Sequence, residues 1–496
     1  MKGTPYILGL DQSTQGTKAI LFDKAGNMVR RLDRAHRQYI NAQGWVGHDA
    51  AEIWQNVCTL VREIVAELPY HGAEIQAIGI SNQRETAVAW NKETGEPCCH
   101  AIVWQCSRAQ AICKNLAAQA TEIQELTGLP LSPYFSAAKF AWFLQKDAQV
   151  QKLQAEGNLA FGTMDAYLAF RFTQGAVLAT DVSNASRTQL MHLQTCRWSK
   201  RLLEYFGIPE SCLPEIRDSD AGFGETDIAG ILPKKIPITA MLGDSQAALF
   251  GQGCHIKGQT KATYGTGSSV MMHIGSTPVH SVHGLAVSVG YALQGHKSYV
   301  LEGNIHYTGG AVRWLVDSFG MIHHASEIEA WARQANPADK SVFVPAFTGL
   351  GAPYWSNEAT GLWTGLTRTT GRAELARAVL MSIPCQIAAV LTAMQKDAGL
   401  SLSVLRADGG ATKNHLLMQW QADLLYVPVH ASQKEELSAT GAAYMAGIAC
   451  GLYDVHSIFT QIQREEFLPK MQATERQEIL SRWQHAVKLA MEAAKK

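Results

Sequence analysis

The sequence predicts an α/β protein of two large domains flanking a cleft, and three observations carry that expectation. The chain has 496 residues, more than one hydrophobic core supports. Short apolar runs end in polar, glycine-bearing turns and alternate with segments of helical periodicity. An apolar strand followed by an acidic turn recurs about half a chain after its first occurrence, as a duplicated fold requires. Hydrophobic residues make up 47% of the chain and charged residues 17%, with 42 glycines, which excludes a disordered or fibrous protein.

The first element is an apolar run, Tyr6 to Leu10, entering Asp11 and a polar loop, then apolar Ala19 to Phe22, a turn over Asp23 to Asn27, and a further strand from Met28. Ile53, Val57, Leu60, Val61, Ile64 and Val65 keep helical spacing, with Asp49 and Glu52 placed as a capping pair. Another strand, Ile75 to Ile80, runs into Ser81-Asn82-Gln83-Arg84-Glu85-Thr86, where binding residues sit in open α/β sheets. In the middle of the chain Pro237 to Leu242 repeats the opening theme, followed by Gly243-Asp244-Ser245 and a helix-prone stretch. A glycine turn at Gly265-Thr266-Gly267 comes next, and a third, Asp408-Gly409-Gly410, precedes a helix carrying Asn414, Leu417 and Trp420. No low-complexity linker divides the chain, so the domains are placed by symmetry at 1–250 and 251–496.

Charge and cysteine usage remove several function classes. Forty-three basic residues balance forty-three acidic ones, and basic clusters no longer than Lys234-Lys235 hold no polyanion, so neither nucleic acid nor an anionic membrane is expected as a partner. The N-terminal apolar run is too short for a signal peptide and the uncharged stretch Ala439 to Tyr453 too short for a membrane span. Ten cysteines lack metal-site spacing, and Cys98-Cys99 beside His100 has no second pair to complete a zinc site. A reduced, cytoplasmic setting is expected.

The chemistry concentrates in the turns. Asp11-Gln12-Ser13-Thr14-Gln15-Gly16-Thr17-Lys18 gathers a carboxylate, hydroxyls, a glycine and a cation, which suits a hydrated Mg²⁺ and phosphate oxygens. Its glycine spacing is neither that of a P-loop nor that of a dinucleotide fingerprint. Read alone it is better explained as an ordinary hairpin turn. In series with Gly243-Asp244, Gly265-Thr266-Gly267 and Asp408-Gly409-Gly410, however, the chain resembles the actin, Hsp70 and hexokinase superfamily, whose domains are ribonuclease H-like. Through Tyr134-Phe135-Ser136-Ala137-Ala138-Lys139 with Trp142, and Gly361-Leu362-Trp363-Thr364-Gly365-Leu366, it is similar to the FGGY family of carbohydrate kinases. Ser81 to Thr86, Ile102 to Cys106, Asn184 to Thr188 and Pro345 to Trp355 resemble the glycerol kinase branch of that family.

The resemblance implies ATP-dependent phosphorylation of a small polyol or sugar. Glycerol is the leading acceptor, and a four- or five-carbon polyol or ketose is the alternative. Arg84, Glu85, Tyr134 and Asp244 would contact acceptor hydroxyls, with Trp104 as an apolar wall, a donor and acceptor set suited to rejecting analogues that lack a hydroxyl. The alternatives weighed against this are a surface pair for Arg84 and Glu85, a core aromatic for Tyr134 and a structural aspartate for Asp244. Asp244 is the expected general base, because phosphoryl transfer needs a carboxylate that orients the attacking hydroxyl. Thr14, Gly16, Lys18 and Thr266 would hold the ATP phosphates, Asp11 the Mg²⁺, and Gly309, Arg313, Gly410 and Asn414 the nucleoside. A homo-oligomer, dimer or tetramer, is also implied.

Departures from the branch pattern bear on the acceptor. Lys18, Arg313 and Met381 stand where arginine, glutamine and an acidic residue are usual, and lysine still binds phosphate as a point charge. Ser245 and Ser269 replace a glutamine and a phenylalanine, so a wider, more polar acceptor pocket is expected. A rival reading, an ATPase of actin or Hsp70 type acting through partner binding, gives the acceptor residues no purpose. A sugar-sensing repressor on the same fold would begin with a DNA-binding helix-turn-helix, whereas this sequence opens directly on the phosphate strand.

Overall fold

Strand β1 (Tyr6–Gln12) pairs antiparallel with β2 (Gly16–Phe22), and β2 with β3 (Met28–Ala35). Helix α1 (Ala50–Ala66) packs its buried face, Ile53, Val57, Leu60, Val61 and Ile64, against this meander. Its Asp49 cap accepts from the N–H groups of Ala51 (2.9 Å) and Glu52 (3.3 Å). Glu52 does not return the bond as a capping pair does; it accepts the N–H of Arg37 at 3.2 Å. The computed structural model describes residues 4–494.

The chain then forms β4 (Ile75–Asn82), parallel to β1, and leaves the sheet for a peripheral layer that includes α2 (Ser136–Lys146) and the short α3 (Val182–Ala185). It returns in β5 (Glu225–Thr226) and β6 (Ile236–Gly243), giving a six-stranded sheet of order β5-β6-β4-β1-β2-β3. Helix α4 (Asp244–Gly251) follows directly.

The second lobe repeats the plan. Strands β7 (Thr260–Tyr264), β8 (Ser268–Gly275), β9 (Ala286–Leu293) and β10 (His296–Ile305) pair antiparallel, α5 (Gly309–Asp317) and α6 (Arg372–Ala398) follow, and β11 (Leu405–Asp408) runs parallel to β7. Helix α7 (His415–Leu425), β12 (Val429–Ser432), α8 (Leu437–Ala449), β13 (Arg464–Phe467) and α9 (Ala473–Ala493) complete a seven-stranded sheet of order β9-β10-β8-β7-β11-β12-β13.

Duplication therefore holds, with a different correspondence from the one expected. The counterpart of the β1–β2 hairpin is β7–β8, closed by Gly265-Thr266-Gly267, whereas the segment from Pro237 to Leu242 belongs to the last parallel strand of the first sheet. Both segments are apolar runs ending in an acidic turn, and periodicity does not show that one continues into a hairpin and the other into a helix. Helix α6 is also long and apolar enough to cross a membrane, but 72% of its apolar window is buried inside the protein, as in a core helix.

Helices α4 and α8 lie between the two sheets. One apolar cluster joins Ile7, Phe22 and Leu242 of the first sheet with Met271 and Tyr291 of the second, around Phe250 and Ala443 of the two helices. Helix α8 follows a strand of the second sheet yet packs on β1, β4 and β6 of the first. Its backbone is in contact with α4: a Cβ on Gly441 would stand 1.8 Å from the Ala247 carbonyl oxygen. Gly441→Ala is expected to cost about 1–3 kcal/mol or more through overpacking, seen as a lower urea midpoint; an unchanged midpoint would show that the helices part freely.

Candidate active site

The C-terminal ends of the parallel strands meet at one point. Register places Asp11 beside Ser81, and Ser81 beside Leu242, so Asp11 ends near the β6–α4 junction that carries Asp244. Asp11 is 4% exposed. Its carboxylate accepts from Ser81 Oγ at 2.9 Å and stands 3.8 Å from Lys18 Nζ. Burial pushes its pKa up to about 6; Lys18 and the Ser81 bond oppose this, while the charges of Asp244 and Glu436 add to it. Lys18 is shared, because its ammonium also meets Glu436 Oε2 at 2.5 Å.

A cavity of about 580 Å³ opens beside this pair, lined by Asp11, Lys18, Asp408, Gly410, Lys413 and Glu436. Asn414 caps α7, its Oδ1 accepting the Leu417 N–H at 2.8 Å. The Thr266 carbonyl accepts the N–H groups of Thr308 (2.9 Å) and Gly310 (2.8 Å), and Gly309 N–H donates to Gly265 (3.0 Å), so the second glycine turn is tied to the start of α5. Arg313 lies on the solvent side of α5, paired with Asp317 at 3.4 Å, and does not line the cavity. Gly16 answers to close packing, since a Cβ there would stand 2.6 Å from the Arg34 carbonyl. Thr14 Oγ1 accepts the indole N–H of Trp104 at 2.9 Å, so the expected acceptor wall also braces the first turn.

The expected acceptor residues form a second, drier cluster. Arg84 donates from Nη1 (2.9 Å) and Nη2 (2.7 Å) to the two oxygens of Glu302, from Nη1 to Gln246 Oε1 (3.2 Å), and stands 3.2 Å through Nε from Asp244 Oδ1. Arg187 Nη1 lies 2.9 Å from the same Glu302, and its Nε donates to Glu85 at 2.6 Å. Burial pushes the Glu302 carboxyl up, but Arg187 and Arg84 outweigh it and hold its pKa at about 2. Ser269 Oγ donates to Glu302 Oε1 at 3.2 Å, and the Ser245 N–H donates to Asp244 Oδ1 at 2.6 Å. Tyr134 packs against Trp104, ring centroids 5.4 Å apart, and burial together with the Glu85 charge raises its pKa, keeping the phenol a donor.

Glu302, Arg187, Glu436 and Lys139 were not among the expected site residues. The signal for Glu302 was a lone carboxylate in the apolar strand Tyr299-Val300-Leu301; its partners lie in the other half of the chain. Among the described residues no group of three or more histidine, cysteine or carboxylate side chains forms a metal centre.

The family model for the N-terminal domain of the FGGY family of carbohydrate kinases matches residues 6–251, and that for the C-terminal domain matches 260–450. Glycerol kinase 1 of Thermotoga maritima is 43% identical over 97% of this chain and 99% of its own, and glycerol kinase of Burkholderia pseudomallei 44% identical over 98% of each. A crystal structure of Plasmodium falciparum glycerol kinase with ADP superposes with a TM-score of 0.93 at 34% identity, covering 98% of both chains. Gluconate kinase from Lactobacillus acidophilus, TM-score 0.89 at 21% identity over 99% of both chains, shares the fold. The two lobes and these likenesses define an ATP-dependent phosphotransferase acting on a small polyol or sugar. The chain belongs to the FGGY family of carbohydrate kinases.

Glu302→Gln leaves two buried guanidinium groups short of a counter-charge and is expected to cost about 3–5 kcal/mol. The folded pKa of Glu302 is depressed, so its contribution is present above about pH 4.5 and lost as the pH falls toward 2. Urea midpoints measured from pH 6 to pH 2.5 should fall more steeply for wild type than for Glu302→Gln, and parallel curves would refute the assignment.

Proposed function

We propose that Asp244 accepts the proton of a polyol hydroxyl as that oxygen attacks the γ-phosphorus of ATP, and that glycerol is the leading acceptor. The new O–P bond forms as the bond to the β,γ-bridging oxygen breaks, leaving ADP and a phosphorylated polyol. The observation that carries this reading is exposure. Of the three carboxylates around Arg84, the Asp244 side chain is 36% exposed while those of Glu85 and Glu302 are 2% and 0% exposed, so Asp244 is the one a hydroxyl can reach before any rearrangement.

Arg84, Glu85 and Tyr134 hold the acceptor in this reading, with Trp104 against its carbons and Ser245 and Ser269 at its far end. Thr14, Gly16, Lys18 and Thr266 take the phosphates, and Gly309, Gly410 and Asn414 the nucleoside, without Arg313, which faces solvent beside Asp317. The hard-oxygen donor at Asp11, in a region where Glu436 and Asp244 add negative charge, fits a hydrated Mg²⁺. When bound, that ion would offset charge on the β- and γ-phosphates. Residues 1–250 then supply most acceptor contacts and the first phosphate loop, and 251–496 the nucleotide side together with Ser269 and Glu302. Ten cysteines free of disulfides suit a cytoplasmic setting, and assembly into a dimer or tetramer rests on the family likeness.

Asp244→Asn should preserve the fold and ATP binding while lowering kcat at least about 10²-fold, the low end for a lost general base. A coupled ADP-release assay with glycerol and Mg-ATP measures this, and near-normal turnover would remove Asp244 from the role.

A larger polyol or ketose is favoured by one observation: Ser269, whose hydroxyl already donates to Glu302, keeps its lone pairs for an acceptor hydroxyl. Restoring bulk with Ser245→Gln and Ser269→Phe together should raise kcat/KM for glycerol relative to four- and five-carbon acceptors. Wild-type preference for glycerol over every longer acceptor, with no gain in the double variant, would leave glycerol alone.

A further inference from the structure

We infer that Lys139 is a positioning residue for the acceptor site, its ammonium joining the backbone under Glu85 to the backbone under Tyr134. Lys139 stands in the first turn of α2 and is completely buried. Its Nζ donates to the carbonyls of Glu85 (3.3 Å), Phe135 (3.1 Å) and Tyr134. An ammonium has three donors. All three are taken by carbonyls, so Lys139 has none left for an acceptor molecule and acts through the residues it holds.

The cation is costly in that place. Among the described residues no carboxylate comes within ion-pair distance of it, and the Glu85 carboxylate is turned to Arg187. Burial draws the Lys139 pKa down to about 7, although the charge of Glu85 and the thiols of Cys106 and Cys113 act the other way. An apolar side chain would fill the same volume without the cost of desolvating a charge, but would leave the three carbonyls without this donor. What the ammonium adds is its hold on three carbonyls.

Two of those carbonyls belong to side chains expected to touch the acceptor. Glu85 has φ +57°, a left-handed conformation that a residue with a Cβ adopts at a cost and keeps only when its surroundings fix it. Its carbonyl is fixed from two positions on α2, by Ser136 Oγ at 3.1 Å and by Lys139. Tyr134 lies just before α2, and the same ammonium takes its carbonyl. Lys139 thus sets the distance between a carboxylate at the end of β4 and a phenol at the start of α2, which no direct bond between them does.

The inference rests on the reading that Glu85 and Tyr134 hold the acceptor, and the experiment separates the two. Lys139→Met, Ser136→Ala and Glu85→Gln are assayed with glycerol, or with the four- or five-carbon acceptor that wild type prefers. Lys139→Met should raise the acceptor KM at least about tenfold while the KM for ATP stays within about twofold, the signature of lost acceptor positioning. Ser136→Ala should move the acceptor KM in the same direction by less, and it supplies the test if Lys139→Met does not fold. A purely structural lysine would instead change both KM values together or lower only the folded yield, which would overturn the role. If Glu85→Gln raises the acceptor KM and neither α2 variant does, the positioning role alone is wrong. If Glu85→Gln leaves the acceptor KM unchanged, the assignment of Glu85 fails and the role of Lys139 fails with it.

Discussion

The carboxylate of Glu302, carried on a strand of the second lobe and gripped by two arginines of the first, is the interaction on which the rest of the proposed acceptor site depends. All three groups are nearly or completely out of water. A buried charge is tolerated only when its partners satisfy it closely, and removing one partner leaves the others uncompensated. The β8–β10 register that seats Glu302, the end of β4 that carries Arg84 and the segment after α3 that carries Arg187 are therefore fixed relative to one another. Asp244 and Glu85 contact those arginines, so the end of the site proposed to react inherits its geometry from a three-residue cluster that spans the lobes.

The side proposed for the nucleotide follows a different electrostatic logic. Around Arg84 every charge has a direct partner in the protein, the two arginines meeting Glu302, Glu85 and Asp244, which suits a neutral, hydroxylated ligand. Beside Asp11 the matching is incomplete: Lys18 and Arg31 both lean on Glu436, and the Asp11 carboxyl is left with a raised pKa. Such a region takes positive charge readily, as suits a ligand that arrives with a cation. The two sides meet where Asp244 acts on both, pairing with Arg84 and raising Asp11.

Much of this was legible in the residues. The run into Asp11, the amphipathic helix after Asp49 and the polar cluster after Ile80 all fall where local periodicity and turn chemistry put them. Four features were not legible, each for a physical reason. The segment from Pro237 to Leu242 looked like a second opening strand because an apolar run carries no record of its neighbours in the sheet. Glu302 drew no attention because its partners lie more than a hundred residues away and on the other lobe. Lys139 belongs to the family-like run Tyr134 to Lys139 but shows no role there, since three backbone carbonyls leave no trace in side-chain identity. Arg313, expected at the nucleoside, faces solvent beside Asp317, because one turn of helix α5 decides which face a residue occupies.

The crossing of α8 onto the first sheet also has a meaning in the order of synthesis. The face of that sheet formed by Ile7, Phe22, Ala77 and Leu242 is covered by residues 437–449, so it stays bare while nearly the whole second lobe is still being translated. A nascent chain ending near residue 250 has only α4 to set against this apolar surface, the condition in which partly made proteins associate or engage chaperones. The lobes are thus successive in sequence but not in closure: the first to be made is sealed only by a helix from late in the second.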